Sequence, residues 1–575
     1  MLLNYRLVKR NIVLILIIIV FLTIFLFPYQ LVLAPDTICK TGPTIDKNPI
    51  EWGKNYINFS YKNKEEKFNS YKITFKNELK IERLSYKINY FENFITEVIV
   101  TADIEDGNNT ILTLETWFRL LANEDLFVFL RFKNNGAYIK DFEYTLSVTT
   151  EKLNEFTDLI PYRFTYSKSD DGLVNIENIE ESKNINLPGE TIYLKVNEGE
   201  KTKLTLFKGC IFQFRNVGYG LQERIDDPSN ITLSLNMIGS ELQILNNTSF
   251  KEKNNIEDWY LISEKSLLNI NSAVTKKYMR VTDFSLKKRY FENGFYYLTE
   301  NNTGYRNENK KTYYWDYSMY APRSLLEFYF TSYETFIYDI AINSFYALYK
   351  SRNKYGFWYS TTESNWLKSE YKICNEYFDT RFSVDAAIFL AFVYKRLNIK
   401  EALDLSSHIG NLLIDYIKEG RGIKTKNNGF LLYDYIVPEN KSFKTHFSLN
   451  HILNEVYFLI LLYDLTDNPS YKDASIKLIN GIAYFGNSWI NKANGDLYYC
   501  GKDTGKFERK DYTTLTYNDL IKVNKITKSV LEEEFEIIKN LGKSKELFLL
   551  KEGIIKVKKF TLDKDIKYVR TEKQK

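Results

Sequence analysis

Tyrosines and carboxylates are the residues of this chain whose types and positions could carry chemistry. The sequence has only 3 histidines and contains no GxSxG, GxGxxG, HExxH or P-loop pattern, so the common nucleophilic, zinc-dependent and nucleotide-dependent mechanisms have no motif here. Three stretches place tyrosines beside helical runs: GFLLYDYIVPE at 429–439, GDLYY at 495–499 and KDYTTLTYNDL at 510–520. We expect these phenols to line the mouth of a helical domain, where they can act as general acids or bases.

Composition limits how much a single tyrosine can mean. The chain has 575 residues with 45 Tyr and 40 Phe, so packing of the ring with the hydroxyl at the surface is the ordinary role of each tyrosine taken alone. The charge of +5 arises from 78 basic and 73 acidic residues, which is a balanced surface and predicts no nucleic-acid partner. The 4 cysteines have no CxxC spacing, so we predict no metal site and no cofactor.

Hydrophobic patterning predicts an α+β multidomain fold. Short alternating runs such as FITEVIVTADI and DLFVFLRF, with turn residues between them, indicate a β-rich, sandwich-like domain over residues 65–260. Apolar residues recur at spacings of three and four through 322–545, which predicts paired helices in an α/α barrel or toroid. Residues 261–321 are interpreted as a connecting region, and 546–575 as a Lys-rich tail.

The N-terminal sequence predicts a membrane anchor. Residues 11–33 form an apolar run preceded by basic residues within 1–10, long enough to span ~30 Å of hydrocarbon as a helix. The basic flank places residues 1–10 in the cytoplasm. We therefore expect an uncleaved transmembrane signal anchor, a linker over 34–64, and a single-pass membrane protein whose catalytic part is extracytoplasmic. A cleaved signal peptide is the alternative.

The segment 433–520 resembles the C-terminal catalytic domain of the D-glucuronyl C5-epimerases, which convert glucuronate to iduronate within heparan- or heparosan-type polymers. The resemblance rests on an ordered set of short motifs at similar spacings. In this sequence they are Tyr433-Asp434-Tyr435-Ile436-Val437-Pro438, Leu453-Asn454, Leu462-Tyr463-Asp464-Leu465, Gly495-Asp496-Leu497-Tyr498, Lys510-Asp511-Tyr512-Thr513-Thr514 and Asn518-Asp519-Leu520. The segment 376–397 departs from the family, because Arg381, Val384 and Asp385 stand where small and amide residues are expected.

The resemblance implies the residues that would form the site. The catalytic tyrosines are Tyr435, Tyr498 and Tyr512, with Tyr433 or Tyr499 as alternatives if the register shifts by one or two residues. It also implies a uronate-containing polysaccharide as the partner, and leaves the oligomeric state open between a monomer and a homodimer. The expected substrate-binding residues are Asp434, Asn454, Lys502, Arg509, Lys510 and Trp358.

Tyrosines suit the chemistry that the resemblance implies. Epimerisation at C5 of a uronate removes a proton α to a carboxylate and returns one from the opposite face, so it needs an acid/base group on each side. A free phenol is only about 0.1% ionised at pH 7, and making it a full base requires ~4 kcal/mol of stabilisation of the phenolate. Bases such as Lys502 and Arg509 could supply part of this and neutralise the substrate carboxylate.

Other functions remain open from the sequence. A polysaccharide lyase abstracts the same proton and then expels the 4-O substituent, and a noncatalytic envelope protein could bind glycans through its β-rich domain. His446, Asn450 and Asn454 share one face of an apolar helix and are either cavity-lining or capping residues. A glycoside hydrolase would need two opposed carboxylates, for which the candidates are Glu363, Glu370, Glu376, Asp379 and Asp385.

Overall fold

The structure, a computed structural model, describes residue 45 and residues 48–560 with gaps. The longest gaps are 225–231, 286–295 and 300–311. A β-rich region comes first and a helical region follows, which confirms the predicted order of the two.

Two antiparallel sheets make up the β-rich region. One has the strand order β1-β2-β3-β8-β17-β16-β11; the other runs β10-β9-β12-β13-β18-β14-β15-β20-β19 and carries the meander β4-β5-β6-β7 on β18. The strands are β1 (Ile50–Trp52), β2 (Tyr56–Lys62), β3 (Phe68–Phe75), β4 (Leu79–Phe91), β5 (Ile95–Asp106), β6 (Asn109–Leu121), β7 (Leu126–Asn134), β8 (Ile139–Thr150), β9 (Asp158–Lys168), β10 (Val174–Glu181), β11 (Asn186–Pro188), β12 (Ile192–Glu198), β13 (Lys201–Lys208), β14 (Phe212–Gly218), β15 (Leu221–Arg224), β16 (Thr232–Ile238), β17 (Glu241–Phe250), β18 (Asn255–Ser263), β19 (Tyr296–Thr299) and β20 (Thr312–Asp316).

Strand β7 shows how the sheets and helices stack in layers. Leu126, Val128 and Leu130 point into the core between the two sheets, whereas Phe127 and Phe129 point into the core shared with the helices. Successive side chains of a strand alternate between its two faces. Because both faces of β7 are buried, its sequence is a continuous apolar run rather than an alternating one.

A buried ion pair joins the larger sheet to the helical region. Arg119 of β6 donates to the Glu97 carboxylate of β5 from Nε at 3.0 Å, and both side chains are buried. Arg119 also bonds Asn343, and Lys350 donates to Glu97 at 2.6 Å. The two cations compensate the cost of burying the carboxylate, so the regions are held together by charge as well as by apolar contact.

The helical region consists of helices connected by short loops, helical turns and small β elements. A 3₁₀ turn spans Gly486–Trp489 and a π turn Thr527–Leu531. The helices are α1 (Ala273–Ser285), α2 (Tyr320–Phe328), α3 (Thr335–Ser351), α4 (Asn365–Tyr371), α5 (Thr380–Leu397), α6 (Lys400–Glu419), α7 (Leu449–Thr466), α8 (Pro469–Phe485), α9 (Leu515–Ile526) and α10 (Glu536–Lys551), and the strands are β21 (Phe378–Asp379), β22 (Gly422–Lys424), β23 (Phe430–Leu432), β24 (Tyr435–Ile436), β25 (Phe447–Ser448), β26 (Tyr498–Gly501) and β27 (Phe507–Lys510).

The helices form an arc of helical hairpins with an inner and an outer layer. α2, α5, α7 and α9 pack side by side as the inner layer, and each is covered by the helix that follows it in the pair, namely α3, α6, α8 and α10. Inner helix α7 is buried from Leu449 to Leu462 except at Tyr457, whereas outer helix α6 buries one stripe that includes Leu405, Ile409 and Leu413. The difference follows from position, because only an outer helix has a solvent face.

Two predicted boundaries differ from the structure. The β-rich region begins at Ile50, inside the segment predicted as a linker, and α10 extends into the predicted tail. The predicted segment 11–33 lies outside the described residues. Within the described part of the chain, no helix is long and apolar enough to cross a membrane, and this finding stands against the membrane-spanning anchor in the predicted fold class and localisation.

Candidate active site

Short β elements position the candidate site at the N-terminal ends of α5 and α7. In the β21–β24 pair Asp379 lies opposite Tyr435, and in the β25–β26 pair Ser448 lies opposite Cys500. Asp379 also caps α5, its carboxylate accepting the N–H of Phe382 at 3.0 Å, as N-cap residues do. Because β21 ends where α5 begins and β25 ends where α7 begins, residues distant in sequence meet at one end of the inner layer.

Tyr435, Tyr499 and Tyr512 form the tyrosine cluster of this site. The rings of Tyr499 and Tyr512 meet edge to face with centroids 5.5 Å apart, and Tyr499 is close enough to Tyr435 to raise the pKa of that phenol. Trp366 of α4 packs against two of the three, with centroid distances of 6.1 Å to Tyr435 and 6.5 Å to Tyr499. Tyr435 and Tyr499 are buried and Tyr512 is half-buried, so Tyr512 is the member most open to a substrate.

The three phenols of the cluster are neutral at physiological pH. Burial raises the pKa of Tyr435 and of Tyr499 well above the ordinary value, and the neighbouring phenols add to the effect. Burial, with the charge of Asp434 second, raises the pKa of Tyr512 to about 12. The charged form of a phenol is the one disfavoured by burial. The tyrosines are therefore proton donors, and the base must be sought among their neighbours.

The structure places Tyr499, and not Tyr498, in the cluster. Successive residues of β26 point to opposite faces, so the half-buried Tyr498 points away from Tyr499. Tyr433 is also outside, because its hydroxyl donates to Asp503 at 3.3 Å near the turn between β26 and β27. Of the predicted catalytic residues, Tyr435 and Tyr512 are brought together.

Asp434 is a buried carboxylate beside the cluster. Its Oδ1 accepts the backbone N–H of Ser448 at 2.7 Å, and its Oδ2 accepts the Ser448 hydroxyl at 2.5 Å. Nε2 of His446 lies 3.1 Å and Nε2 of His451 3.6 Å from the same Oδ2. Burial would raise the pKa of Asp434, but the two histidines and the Ser448 hydroxyl hold that pKa below its ordinary value. Asp434 is thus ionised at neutral pH and is the candidate base.

The two histidines connect Asp434 to different surroundings. Nδ1 of His446 lies 2.9 Å from the Tyr371 hydroxyl, at the half-buried end of α4. Nδ1 of His451 lies 2.9 Å from the hydroxyl of Thr380, which is buried. Burial lowers the pKa of His451 to about 4 against the opposing effect of Asp434. His451 is therefore a neutral imidazole that faces the interior.

Two further buried carboxyl groups hold protons in this region. Burial raises the pKa of Asp379 to about 7 and that of Glu455 to about 8. Glu455 lies one helical turn after His451 on α7, and neither of its carboxyl oxygens has a hydrogen-bond partner. Glu455 is mainly a neutral acid at pH 7, because an ionised and unpartnered carboxylate would be far more costly at that position.

A network of buried charges lies beneath the site and joins the four inner helices. Arg381 of α5 donates to the backbone oxygen of Asn450 on α7 at 2.7 Å and to Asp519 of α9 at 2.6 Å. Asp385 accepts from Arg323 at 2.5 Å and from Asn454 at 3.1 Å. Asn454, a predicted substrate-binding residue, is thus buried with its amide group bound to this network. Arg381 and Asp385, where the sequence departs from the family, are also part of it.

The predicted basic residues lie at the rim of the site and are mostly paired. Glu370 of α4 binds Arg509 and lies 3.2 Å from Lys502. The Arg509 guanidinium stacks over the Trp366 ring at 4.6 Å, so it borders the tyrosine cluster. Lys510 is exposed on β27, opposite Tyr498. Arg509 and Lys502 are the predicted cations within reach of a ligand at the cluster.

Trp358, a predicted substrate-binding residue, lies in the protein core. Its indole N–H donates to the backbone oxygen of Leu348 at 3.0 Å, and its side chain is buried. The role it performs is to pack the loop after α3 against the inner layer. Among the described residues, no group of three or more His, Cys, Asp or Glu is arranged to hold a metal ion.

Sequence reasoning did not place Tyr371, His451 and Glu455 in the site. His451 and Glu455 have a helical spacing of four, like the pair Asn450 and Asn454, so a second polar stripe on an otherwise apolar helix was the available signal. For Tyr371 no such signal exists, because its position depends on how the loop that contains α4 folds over the site.

Comparison with known proteins gives only distant similarities. No family model matches the sequence, and no curated protein matches it. Among solved structures, a family 76 glycoside hydrolase (mannosidase) from Bacteroides thetaiotaomicron has 13% identity and a TM-score of 0.29 over 40% of this chain. Cellobiose 2-epimerase from Spirochaeta thermophila has 14% identity and 0.32 over 41%, and an alpha-amylase from Clostridium perfringens 16% and 0.32 over 48%.

The chain spans 59%, 60% and 71% of the length of these three proteins, in that order. Their names describe enzymes that act on carbohydrates. With every one of these TM-scores below 0.5, the similarities carry no argument about the activity of this chain, which must be argued from its own site.

Proposed function

We propose that this chain is a carbohydrate-processing enzyme that epimerises uronate residues at C5 within a polysaccharide. The observation that supports the proposal is the position of the tyrosine cluster beside the ionised carboxylate of Asp434. His446, whose Nε2 lies 3.1 Å from that carboxylate, packs against the rings of Tyr435 and Tyr499 with centroid distances of 5.6 Å. The reaction needs a base on one side of C5 and an acid on the other. A site that contains one buried carboxylate and several neutral phenols offers both.

The roles follow from the protonation states. Asp434 is ionised and accepts the C5 proton, while Tyr512 is a neutral phenol and returns a proton from the opposite face. The C5–H bond breaks and an O–H bond forms at Asp434; then a C5–H bond forms and the Tyr512 O–H bond breaks. Each turnover leaves Asp434 protonated and Tyr512 as phenolate, so both groups must exchange protons with solvent before the next one.

Arg509 and Lys502 are the proposed partners of the substrate carboxylate. Removing a proton α to a carboxylate builds negative charge on that carboxylate, which a nearby cation stabilises. Arg509 lies over Trp366 at the edge of the cluster, and Lys502 lies beside it through their shared contact with Glu370. In this proposal the substrate displaces Glu370 from these cations.

Incubation with a glucuronate polymer such as heparosan in deuterium oxide tests the proposal. We expect wild type to incorporate deuterium at C5 without shortening the chain, and Tyr512→Phe to lower the rate by ~10²–10⁴, as loss of a general acid does. Tyr498→Phe is the matched control, since it removes the adjacent phenol on the other face of β26. Equal rates in wild type and Tyr512→Phe would remove that tyrosine from the mechanism. Chain cleavage with a new unsaturated product would show a lyase instead.

A second candidate function, glycoside hydrolysis, is favoured by the difference in pKa between two neighbouring carboxyl groups. Burial raises the pKa of Asp379 to about 7, whereas that of Asp434 is held low, and such a pair can act as acid and base. New reducing ends without deuterium at C5, abolished in Asp379→Asn but retained in Tyr512→Phe, would establish hydrolysis in place of epimerisation.

A further inference from the structure

A row of polar groups leads from Asp434 to the protein surface. Nε2 of His446 has no hydrogen-bond partner and lies 3.1 Å from Asp434, and Nδ1 of the same ring lies 2.9 Å from the Tyr371 hydroxyl. The Tyr371 hydroxyl in turn donates to Oε1 of Glu370 at 3.1 Å. The inner end of the row is buried and the outer end is partly exposed: the side chains of Asp434 and His446 are 0% exposed, Tyr371 is half-buried, and Glu370 is 21% exposed.

Asp434, unlike Tyr512, depends on such a row to exchange its proton with solvent. In the proposed function, on which this inference rests, each turnover leaves a proton on Asp434. Tyr512 is the most exposed member of the cluster, so in this proposal it recovers its proton from water. With a substrate bound over the cluster, the remaining neighbours of Asp434 are Ser448, His446 and His451, so its proton must leave through a side chain.

We propose that His446 and Tyr371 form a proton relay that carries protons between Asp434 and solvent at Glu370. In the outward direction the Asp434 carboxyl O–H breaks as His446 gains N–H at Nε2. The imidazolium so formed loses its Nδ1 proton to the Tyr371 oxygen, and Tyr371 gives its own hydroxyl proton to the Glu370 carboxylate. One proton enters and one leaves at each group, and water removes the last one from Glu370.

The contacts of Glu370 fit its place at the outer end of the relay. Hydrogen bonds from Trp366 and Lys502 outweigh burial and keep the pKa of Glu370 below its ordinary value, so it is ionised and ready to accept. Its carboxylate also binds Arg509. A substrate that takes Arg509 and Lys502 would release Glu370 to water, which couples substrate binding to proton exchange.

The other neighbours of Asp434 do not provide an exit. Nδ1 of His451 meets the hydroxyl of Thr380, which is 0% exposed. Beyond His451 on the same face of α7 lies Glu455, which is also buried. Ser448 spans the carboxylate with its N–H and hydroxyl and has no exposed atoms of its own to pass the proton on. The relay therefore runs through His446 alone.

Exchange of the histidine ring protons with solvent tests the relay without any substrate. The chain has only 3 histidines, so selective ¹⁵N labelling resolves His408, His446 and His451 in full-length protein. We expect the ring N–H of His446 to exchange roughly an order of magnitude more slowly in Tyr371→Phe, because exchange then waits for local opening of the site. His451 should exchange slowly in both proteins, and His408 should not change.

Steady-state kinetics give a second, independent arm of the test of the relay. Tyr371→Phe keeps the ring and removes only the hydroxyl, so we expect wild-type deuterium incorporation in the first turnover. Later turnovers should be slower by roughly 10- to 100-fold, below the ~10²–10⁴ lost when a general acid or base itself is removed. In His446→Ala, added imidazole should restore part of the rate by filling the vacated space. Tyr359→Phe, which removes a surface phenol bonded to Glu439, is the matched control and should match wild type in both arms.

The two arms separate failure of the relay from failure of the proposed function. Unchanged His446 exchange in Tyr371→Phe would overturn the relay, whether or not wild type epimerises a uronate polymer. Slowed His446 exchange in a protein that incorporates no deuterium would establish the relay and overturn C5 epimerisation. Slow later turnovers together with unchanged His446 exchange would assign Tyr371 a positioning role and also overturn the relay.

Discussion

Ser448 supports the charge of Asp434 through a hydroxyl hydrogen bond of 2.5 Å. A hydrogen bond to a charged group contributes ~1.5–3 kcal/mol, which corresponds to a pKa change of about 1–2 units. We predict that Ser448→Ala raises the pKa of Asp434. In the proposed mechanism Asp434 acts as a base only when ionised, so the acidic limb of the pH–rate profile should move to higher pH by about that amount.

The profile is measured on the same polymer substrate, with Ser442→Ala as the control. The Ser442 hydroxyl bonds Asn440 in an exposed turn, so its loss should leave the acidic limb in place. An unmoved limb in Ser448→Ala would show that Asp434 is not the group that titrates in the rate.

The sequence predicts which residues form the site better than it predicts which way their side chains point. Asp434, Tyr435 and Tyr512 follow from the order of motifs, and the structure gathers them in one place. The choice between Tyr498 and Tyr499 depends on which face of β26 points inward, and a shift of one residue exchanges the faces. That register is set by pairing with β25 some fifty residues earlier in the chain, which no local pattern encodes.

Arg381 connects three inner helices through buried hydrogen bonds. It bonds Asn450 of α7 and Asp519 of α9 from its place on α5, and the Arg381 and Asp519 side chains are 9% and 3% exposed. Removing one partner of a buried pair costs ~3–5 kcal/mol, because the other charge is left uncompensated. We predict that Arg381→Met lowers the free energy of unfolding by this amount, measured by urea denaturation, and that adding Asp519→Leu restores part of it.

Lys395→Met is the matched control for that prediction. Lys395 joins α5 to α7 through Asp464 at 3.2 Å, but the two side chains are 44% and 37% exposed. Exposed pairs contribute ~0–1 kcal/mol, so the control should cost little. Equal losses in Arg381→Met and Lys395→Met would show that burial does not govern these contacts.

Long helices with a regular spacing of apolar residues could be predicted from the sequence, whereas the short strands could not. The inner helices α5 and α7 show apolar spacing over 18 residues each, and their type and order follow from the sequence. The elements that hold the site, β21 and β24 with two residues each, are too short for a period. They exist because the loops before α5 and α7 meet in space, which is a tertiary effect.

At the scale of the whole molecule, the β-rich region is part of the structural support of the helical region rather than a separate module. The core that contains Phe127 and Trp259 of the larger sheet continues into Phe336 and Ile340 of α3. The sequence predicted both regions but not this shared core, because a strand buried on two faces has the same apolar composition whichever partner covers it.

The junction between the two regions also carries a pair of buried carboxyl groups with raised pKa values, which makes the stability of the whole chain depend on pH. Asp125 after β6 and Asp339 of α3 are buried and both bond Asn123, at 2.7 and 2.8 Å. Burial raises the pKa of Asp125 to about 6 and that of Asp339 well above its ordinary value. The folded state therefore binds more protons than the unfolded state.

Stability from this pair is fully present below the unfolded pKa of ~3.9 and is lost as pH rises through 6 and beyond. We predict that Asp125→Asn, which cannot ionise, gains stability over wild type as pH rises from 4 to 8, by on the order of 1–3 kcal/mol. Thermal unfolding across that range measures the gain. Asp404→Asn on the exposed face of α6 should give a difference that does not grow with pH. A gain for Asp125→Asn that is the same at pH 4 and pH 8 would mean that folding does not raise the pKa of Asp125, because the charge of Lys265 and the hydrogen bond from Asn123, which lower that pKa, offset burial.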